Sequence, residues 1–153
     1  MQFARRMTSP SQTLLVKHIM STRVVSLFAE QSLPLAGDIM EFKHVRHLPV
    51  IDETNRLVGI VSDRDLLGAQ ISSLTKIGAA DRREMLEHTS VAQVMTVDVW
   101  TAGAEMTAAN AGRLLLEHRF SCLPVVDDAG QLIGIVTERD LVKLAVTALD
   151  DLA

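Results

Sequence analysis

Two stretches of this chain share one pattern: Gly59-Ile60-Val61-Ser62-Asp63-Arg64-Asp65-Leu66 and Gly134-Ile135-Val136-Thr137-Glu138-Arg139-Asp140-Leu141. Each begins with glycine, continues as a short β-branched strand, and ends in a hydroxyl and two acids around an arginine, where a helix is expected to begin. Such a strand delivers a hydroxyl, backbone N–H groups and a carboxylate to one helix N-terminus, which suits a phosphorylated, sugar-bearing ligand. The pattern therefore predicts a binding site that occurs twice.

The two stretches belong to a longer internal repeat. When residues 16–67 are aligned with residues 91–142 without gaps, 18 of 52 positions are identical. Unrelated sequences of average composition would match at roughly three of these positions. Another identical run is Leu48-Pro49-Val50, which returns as Leu123-Pro124-Val125. The chain therefore contains a tandem duplication.

Composition excludes several classes of protein. Of 153 residues, 48% are hydrophobic and 22% are charged, the net charge is −4, and only 3% are aromatic. A nucleic-acid binder would need a basic surface and usually stacking aromatics, so this function is not expected. A single cysteine, Cys122, allows no intramolecular disulfide and suggests a reducing compartment. No apolar run is long enough for a membrane span, and we expect a cytoplasmic protein.

Each repeat reads as strand, helix, strand, strand, helix. Short β-prone runs at 24–27 and 99–101 come first, followed by helices with Ser32 and Thr107 as N-caps. Two further strands, 48–51 and 57–61 in the first repeat, predict an antiparallel hairpin. A proline within the hairpin, Pro49 or Pro124, predicts an edge or a position without a backbone N–H bond. The second helix starts at Asp63 in the first repeat and ends near residue 72; in the second repeat it ends near residue 150. Residues 79–88 predict a solvent-facing helix. Residues 1–12 give no clear signal.

These elements define the fold class and the domain boundaries. We predict an α/β protein of the α+β type, with a first repeat at 10–75, a helical linker at 76–89 and a second repeat at 90–150. Neither repeat has enough strand to close a core alone. We therefore expect two βαββα units packed as one pseudo-twofold module.

The repeats resemble a known family, the CBS-domain pair or Bateman module. The resemblance is carried by Val-x-x-(Ile/Val)-Met-(Ser/Thr) at 16–21 and 91–96, Leu-Pro-Val-(Ile/Val)-Asp, and Gly-Ile-Val-(Ser/Thr)-x-x-Asp-Leu, in the family's order in both halves. It covers residues 10–150. It implies pockets in the cleft between repeats that bind AMP, ADP, ATP, S-adenosylmethionine or dinucleotides as regulatory ligands, with no required cofactor. It also implies a homodimer that regulates a separate enzyme, channel or transporter in trans.

The resemblance assigns ribose to an aspartate in each repeat. In the family, the aspartate of the Ser/Thr-x-x-Asp motif accepts hydrogen bonds from the ribose hydroxyls, and Asp65 and Asp140 match it. A carboxylate suits a diol because its two oxygens accept two O–H donors. Ser62 and Thr137 match the hydroxyl that donates to ribose or phosphate. The alternative for these two hydroxyls is that they only cap helices.

The resemblance also implies contacts to adenine from the opposite repeat. Four residues would face the site of Thr137 and Asp140: Thr22, Val24, Val45 and Arg46. Four others would face the site of Ser62 and Asp65: Val97, Val99, Phe120 and Ser121. The alternative is that the valines and Phe120 belong to the core.

Phosphate needs cations, because a pocket holding a carboxylate would otherwise repel it. Arg64 and Arg139 recur beside the aspartates, and surface arginines at a helix start are alternatively solvated. The repeats differ at the preceding loop, which contains Arg46 and His47 in the first copy and Ser121 and Cys122 in the second. If phosphate lies beside the loop of its own repeat, the Asp65 site should prefer phosphorylated ligands and the Asp140 site less charged ones.

Catalysis and metal binding are not predicted. His44 and His47 lie three residues apart but lack further ligands at metal spacing, and Cys122 lacks the pattern of a nucleophile with its base. The leading hypothesis is a stand-alone regulatory module that senses energy or metabolite status. The alternative is a structural dimerisation module with degenerate, ligand-free pockets.

Overall fold

A computed structural model describes residues 13–74 and 78–153, apart from the side chains of 72–74. The earlier expectation for residues 1–12 falls outside this range. The helices are α1 (Val16–Ile19), α2 (Leu33–Lys43), α3 (Asp63–Leu74), α4 (Ala79–Glu87), α5 (Ala108–His118) and α6 (Glu138–Asp150), with a 3₁₀ turn at Val91–Gln93. The strands are β1 (Leu27–Phe28), β2 (His47–Ile51), β3 (Leu57–Ser62), β4 (Cys122–Val126) and β5 (Leu132–Thr137).

The strands form the two predicted hairpins. Strand β2 pairs with β3 in antiparallel fashion, and β4 pairs with β5 in a second sheet. The first strand of each repeat is shorter than predicted and lies further along the chain: β1 pairs in parallel only from Leu27 opposite Val50, and in the second repeat a single bridge joins Ala102, just beyond the predicted run, to Val125. Ala102 N donates to Pro124 O at 2.9 Å, so Pro124 joins this pairing through its carbonyl, but a proline has no N–H to offer the neighbouring strand.

The predicted helices are present, with adjusted ends. Thr107 caps α5 by accepting a hydrogen bond from Asn110 N at 3.1 Å, whereas Ser32 occupies the N-cap of α2 without a side-chain bond. Helix α3 continues two residues past its predicted end, to Leu74. Helix α4 forms within the predicted linker and has no buried residue, although Leu86 packs against the neighbouring core.

The chain divides into two compact units that are not continuous in sequence. The Asp65 unit comprises the described part of Val24–Val99 together with Asp128–Leu132. The Asp140 unit comprises the described part of Met1–Arg23, Trp100–Asp127 and Ile133–Ala153. Each unit has its own buried apolar core. The first segment of each repeat, here called the lead-in (residues 16–21 and 91–96), therefore belongs to the unit that holds the hairpin of the other repeat.

In the Asp65 unit, this lead-in segment bonds to the middle of β3. Thr96 N donates to Ile60 O at 2.9 Å, and Ile60 N donates to Thr96 O at 3.0 Å. Ile60 therefore turns both of its backbone polar groups away from β2. Pro49 lies opposite Ile60, so the N–H that proline lacks costs no hydrogen bond between β2 and β3. The second alternative predicted for Pro49, a position without a backbone N–H bond, is the one the structure shows.

The Asp140 unit repeats this arrangement. Ser21 N donates to Ile135 O, and Ile135 N donates to Ser21 O, both at 2.9 Å. The same lead-in is anchored at its start, where Val16 N donates to Met106 O at 2.8 Å. Val16 is fully buried in the core of this unit. Apolar burial and backbone hydrogen bonds thus both hold the lead-in against the second repeat.

The close approach of each lead-in explains a glycine in each strand. A Cβ at Gly59 would lie 2.7 Å from Met95 Sδ and 2.9 Å from Thr96 O. A Cβ at Gly134 would lie 2.6 Å from Met20 Sδ and 3.1 Å from Ser21 O. Carbon atoms do not approach so closely without displacing the neighbour. We call the two repeated stretches, 59–66 and 134–141, the signatures. The glycine that opens each signature is therefore required by packing.

We predict that Gly59→Ala and Gly134→Ala each lower the free energy of unfolding by about 1–3 kcal/mol, because the added methyl group overpacks the lead-in. Chemical denaturation measures this difference. Gly103→Ala is the matched control, since its added Cβ meets nothing within 4 Å. Equal stabilities for all three variants would show that the lead-ins do not restrict these strands.

Candidate functional site

The signature of the first repeat ends in a reciprocal set of hydrogen bonds. Asp65 Oδ2 accepts from Ser62 N at 2.7 Å and from Ser62 Oγ at 2.9 Å, while Asp65 N donates to Ser62 Oγ at 3.2 Å. This is a capping box, with the hydroxyl residue at the helix N-cap and the acid three positions later. It fixes the Asp65 side chain where β3 becomes α3.

The second repeat builds the same box. Asp140 Oδ2 accepts from Thr137 N at 2.8 Å and from Thr137 Oγ1 at 3.0 Å, while Asp140 N approaches Thr137 Oγ1 at 3.4 Å. Both aspartates and both hydroxyl residues are partly exposed. The alternative noted for the hydroxyls is thus partly realised, because they do cap the helices. Sequence reasoning did not assign the aspartates to the same caps, although the spacing itself is a capping-box signal.

The capping boxes leave defined acceptors available. Within residues 13–74 and 78–153, the hydrogen bonds to Asp65 and Asp140 carboxylates that the structure gives all fall on Oδ2. In this arrangement each hydroxyl directs its hydrogen to the aspartate and keeps an acceptor position on its oxygen. Oδ1 and the hydroxyl oxygen together can therefore accept from ligand O–H groups, as a ribose diol requires.

A loop of the same repeat is bonded to each box. Asp63 N donates to Arg46 O, and Glu138 N donates to Ser121 O, both at 3.0 Å. Each loop leaves its helix through a left-handed residue, His44 in one repeat and Arg119 in the other. The structure thus brings 45–47 to the Asp65 box and 120–122 to the Asp140 box, which in each case is the box of the same repeat. The contact with the opposite box that the resemblance implied for Val45, Arg46, Phe120 and Ser121 stays a prediction.

His47 lies directly opposite Ser62 in the β2–β3 register and is half-buried. Burial lowers the pKa of His47 below 6.5, Asp63 and Asp65 oppose this shift, and Arg46 and Arg64 add to it. The imidazole is therefore mostly neutral at neutral pH. Arg64 and Arg46 are exposed, so both can turn towards an anion beside the carboxylate.

The Asp140 box has different neighbours. Cys122 occupies the position equivalent to His47, and burial, together with the nearby Glu138 carboxylate, raises the pKa of its thiol to about 12. Phe120 stacks on His118 at a centroid distance of 5.3 Å, and Trp100 lies 4.3 Å from the same imidazole. This aromatic cluster was not predicted from the sequence. Arg139 is exposed beside the box.

The remaining predicted contacts are distributed along the lead-ins. Thr22 follows the residue bridged to Ile135, and Val97 follows the residue bridged to Ile60, so each lies near the end of a signature strand. Val24 and Val99 are half-buried and fall at the limits of the Asp65 unit. The predicted pairing of these residues with the box of the opposite repeat stays a prediction.

A separate groove of about 360 Å³ lies on the helices of the Asp65 unit. It is lined by Leu33, Pro34, Gly37, Asp38, Glu41, Leu66, Gln70 and Leu86. None of the predicted ligand-binding residues lines it.

In the part of the chain that the structure describes, no cluster of three or more His, Cys, Asp or Glu residues could hold a metal ion. Across those same residues, none of the helices has the length and apolar character needed to cross a membrane.

Comparison with known proteins identifies the family. The CBS domain family matches residues 16–72 and 91–147, so the chain belongs to this family and contains two tandem CBS repeats with an α+β fold. A CBS domain-containing protein of Dictyostelium discoideum is 31% identical over 137 residues, which cover 90% of this chain and 94% of that protein. An inosine-5′-monophosphate dehydrogenase of Nitrosopumilus maritimus is 33% identical over 80% of this chain, but the match spans only 22% of the enzyme.

Solved structures of similar proteins contain adenosine ligands. CBSX2, a CBS-pair protein from Arabidopsis thaliana, was solved in complex with AMP; it is 34% identical, has a TM-score of 0.75, and the match covers 88% of this chain and 98% of that one. The CBS domain pair of protein MJ0100 was solved with 5′-methylthioadenosine and S-adenosyl-L-methionine. That pair is 28% identical, with a TM-score of 0.73, over 88% of this chain and 97% of its own. The predicted family and fold class are confirmed.

We predict that Cys122 resists Ellman's reagent at pH 8 in the folded protein, because its thiol is buried and protonated. The reaction should be at least about tenfold slower than in guanidinium chloride. A Cys122→Ser chain carrying Ala109→Cys on the exposed face of α5 is the reference for an accessible thiol. Equal rates for Cys122 and the introduced cysteine would contradict the assigned burial.

Proposed function

We propose that this chain is a regulatory module that binds an adenosine-containing ligand at its two capping boxes and reports energy or metabolite status to a partner protein. The observation that carries the proposal is the duplicated carboxylate, held by Ser62 or Thr137 through one oxygen and open to a ligand through the other. The AMP, S-adenosylmethionine and methylthioadenosine complexes of similar proteins support adenosine as the shared ligand chemistry. No catalytic role is proposed.

The ribose diol would donate to the spare carboxylate oxygen of Asp65 or Asp140. Adenine would contact apolar side chains and hydroxyl groups beside the boxes. The proposed residues are Thr22, Val24, Val45, Val97, Val99, Phe120 and Ser121. The phosphate of a nucleotide would meet the guanidinium groups of Arg46 and Arg64 and the imidazole of His47 at the Asp65 box. At the Asp140 box, only Arg139 remains as an equivalent cation. We therefore propose that the two sites differ in ligand charge.

The module is proposed to act as a homodimer on a separate enzyme, channel or transporter. Helices α3 and α6 expose apolar side chains at equivalent positions of the two repeats: Leu67 and Ile71 on α3, Val142 and Val146 on α6. Each of these side chains leaves more than half of its surface accessible. Apolar stripes of this kind favour burial against a second copy of the chain.

We predict that Asp65→Ala weakens AMP binding more than Asp140→Ala. Losing hydrogen bonds to a charged carboxylate costs about 1.5–3 kcal/mol, which corresponds to roughly a 10- to 150-fold loss of affinity at the Asp65 site. Isothermal titration calorimetry at low ionic strength measures both sites. Glu53→Ala is the matched control, because it removes an exposed carboxylate from the turn after β2, at the opposite end of the hairpin from the Asp65 box. Equal losses from Asp65→Ala and Asp140→Ala would contradict the proposed difference between sites.

A second prediction separates the regulatory module from the ligand-free dimerisation module. Thermal unfolding is measured with AMP, ADP, ATP, S-adenosylmethionine, NAD and GMP. At 100 times its dissociation constant, a bound ligand adds about 2.7 kcal/mol to the free energy of unfolding. We expect at least one adenosine compound to raise the melting temperature, with no rise in the Asp65→Ala, Asp140→Ala double variant. No change with any adenosine compound would favour the dimerisation module.

A further inference from the structure

We propose that His47 couples phosphate binding at the Asp65 site to the uptake of one proton, so that this site binds phosphorylated adenosine more tightly as the pH falls. The inference rests on the proposed function and adds a regulation that only one of the two repeats can have.

The position of His47 supplies the coupling. Residues directly opposite each other in an antiparallel pair place their side chains on the same face, with Cβ atoms about 4.5–5.5 Å apart. His47 therefore lies beside Ser62, whose hydroxyl is bonded to Asp65. In this proposal, the phosphate of a nucleotide whose ribose meets Asp65 lies on the His47 side of the box.

The charged groups around His47 come from helix α3 and from the loop that precedes β2. Asp63 and Asp65 face it from the start of α3 and favour the imidazolium, whereas Arg46 on the preceding loop and Arg64 on α3 oppose it. Burial outweighs the effect of the two carboxylates and keeps the pKa of His47 below 6.5 when no phosphate is bound. A phosphate monoester brings about −1.5 to −2 charges at neutral pH. Its arrival favours the imidazolium, so the proton is taken up on binding.

The Asp140 site offers an internal comparison. The equivalent residue is Cys122, whose thiol stays neutral throughout the range in which His47 titrates, because its pKa is about 12. Binding at the Asp140 box therefore lacks a proton-linked group at this position. The two repeats share the carboxylate but differ in the group that responds to pH.

The test measures AMP affinity by calorimetry at pH 6, 7 and 8 and constant ionic strength for the wild type, His47→Gln and His47→Cys. Linkage of one proton changes affinity by at most about tenfold per pH unit. We expect the ratio of dissociation constants, variant over wild type, to fall from roughly tenfold at pH 6 to about one at pH 8. The ionisation of AMP itself cancels in this ratio. His47→Cys reproduces the residue of the other repeat and should behave like His47→Gln.

Three controls make the result specific. His44→Asn removes an exposed histidine three residues away and should leave the pH dependence unchanged. Adenosine, which lacks phosphate, should give a ratio that is constant with pH. Circular dichroism at pH 6 and 8 verifies that the variants are folded. A constant ratio with AMP, or the same trend with adenosine, would overturn the role of His47 while leaving the binding function intact. If AMP fails to bind the wild type at all three pH values, this inference fails, while the proposed function is decided separately by the thermal-unfolding measurements with the other adenosine compounds.

Discussion

The structure depends on one repeated constraint, the backbone bridge between a lead-in segment and the signature strand of the other repeat. Ile60 exchanges two hydrogen bonds with Thr96, and Ile135 exchanges two with Ser21. These bridges explain why proline is tolerated in the facing strand and why glycine precedes each isoleucine, since a Cβ would collide with the lead-in. Each unit is therefore completed by a segment that lies far from its hairpin in sequence.

The bridge leads directly to the candidate site, because the same strand ends two residues later in the capping box. The hydroxyl of Ser62 or Thr137 holds one oxygen of the aspartate and thereby orients the other. One oxygen of each carboxylate thus stabilises the fold, and the other is the one that we propose for ligand binding. The two repeats share this box, while the adjacent loop contains Arg46 and His47 in one repeat and Ser121 and Cys122 in the other. This shared scaffold with different charges supports the proposal of two sites with unequal ligand preference.

Most of the fold could be predicted from the sequence, because a repeat with hydrophobic periodicity and turn residues specifies helices and hairpins locally. The exchange of lead-ins could not, since nothing in the local pattern of 16–21 or 91–96 indicates which hairpin it will contact. Strand β1 was predicted too long because local propensity does not show where Pro49 prevents pairing. At the candidate site, the hydroxyl–aspartate hydrogen bonds could have been predicted, because the spacing of three residues is a capping-box signal. The packing of Trp100 and Phe120 against His118 could not be predicted, because it depends on tertiary contacts that no local sequence pattern indicates.

The most direct measurement is a crystal structure of the protein with AMP. We expect the ribose hydroxyls to donate to the spare oxygen of Asp65 at about 2.5–3.0 Å, with Ser62 still bonded to Oδ2 and the phosphate facing Arg46, His47 or Arg64. The Asp140 carboxylate should offer the same ribose contact with fewer cations around it. AMP bound elsewhere, such as in the groove between α2 and α3, with both carboxylates unoccupied would contradict the assignment of the capping boxes as the ligand sites.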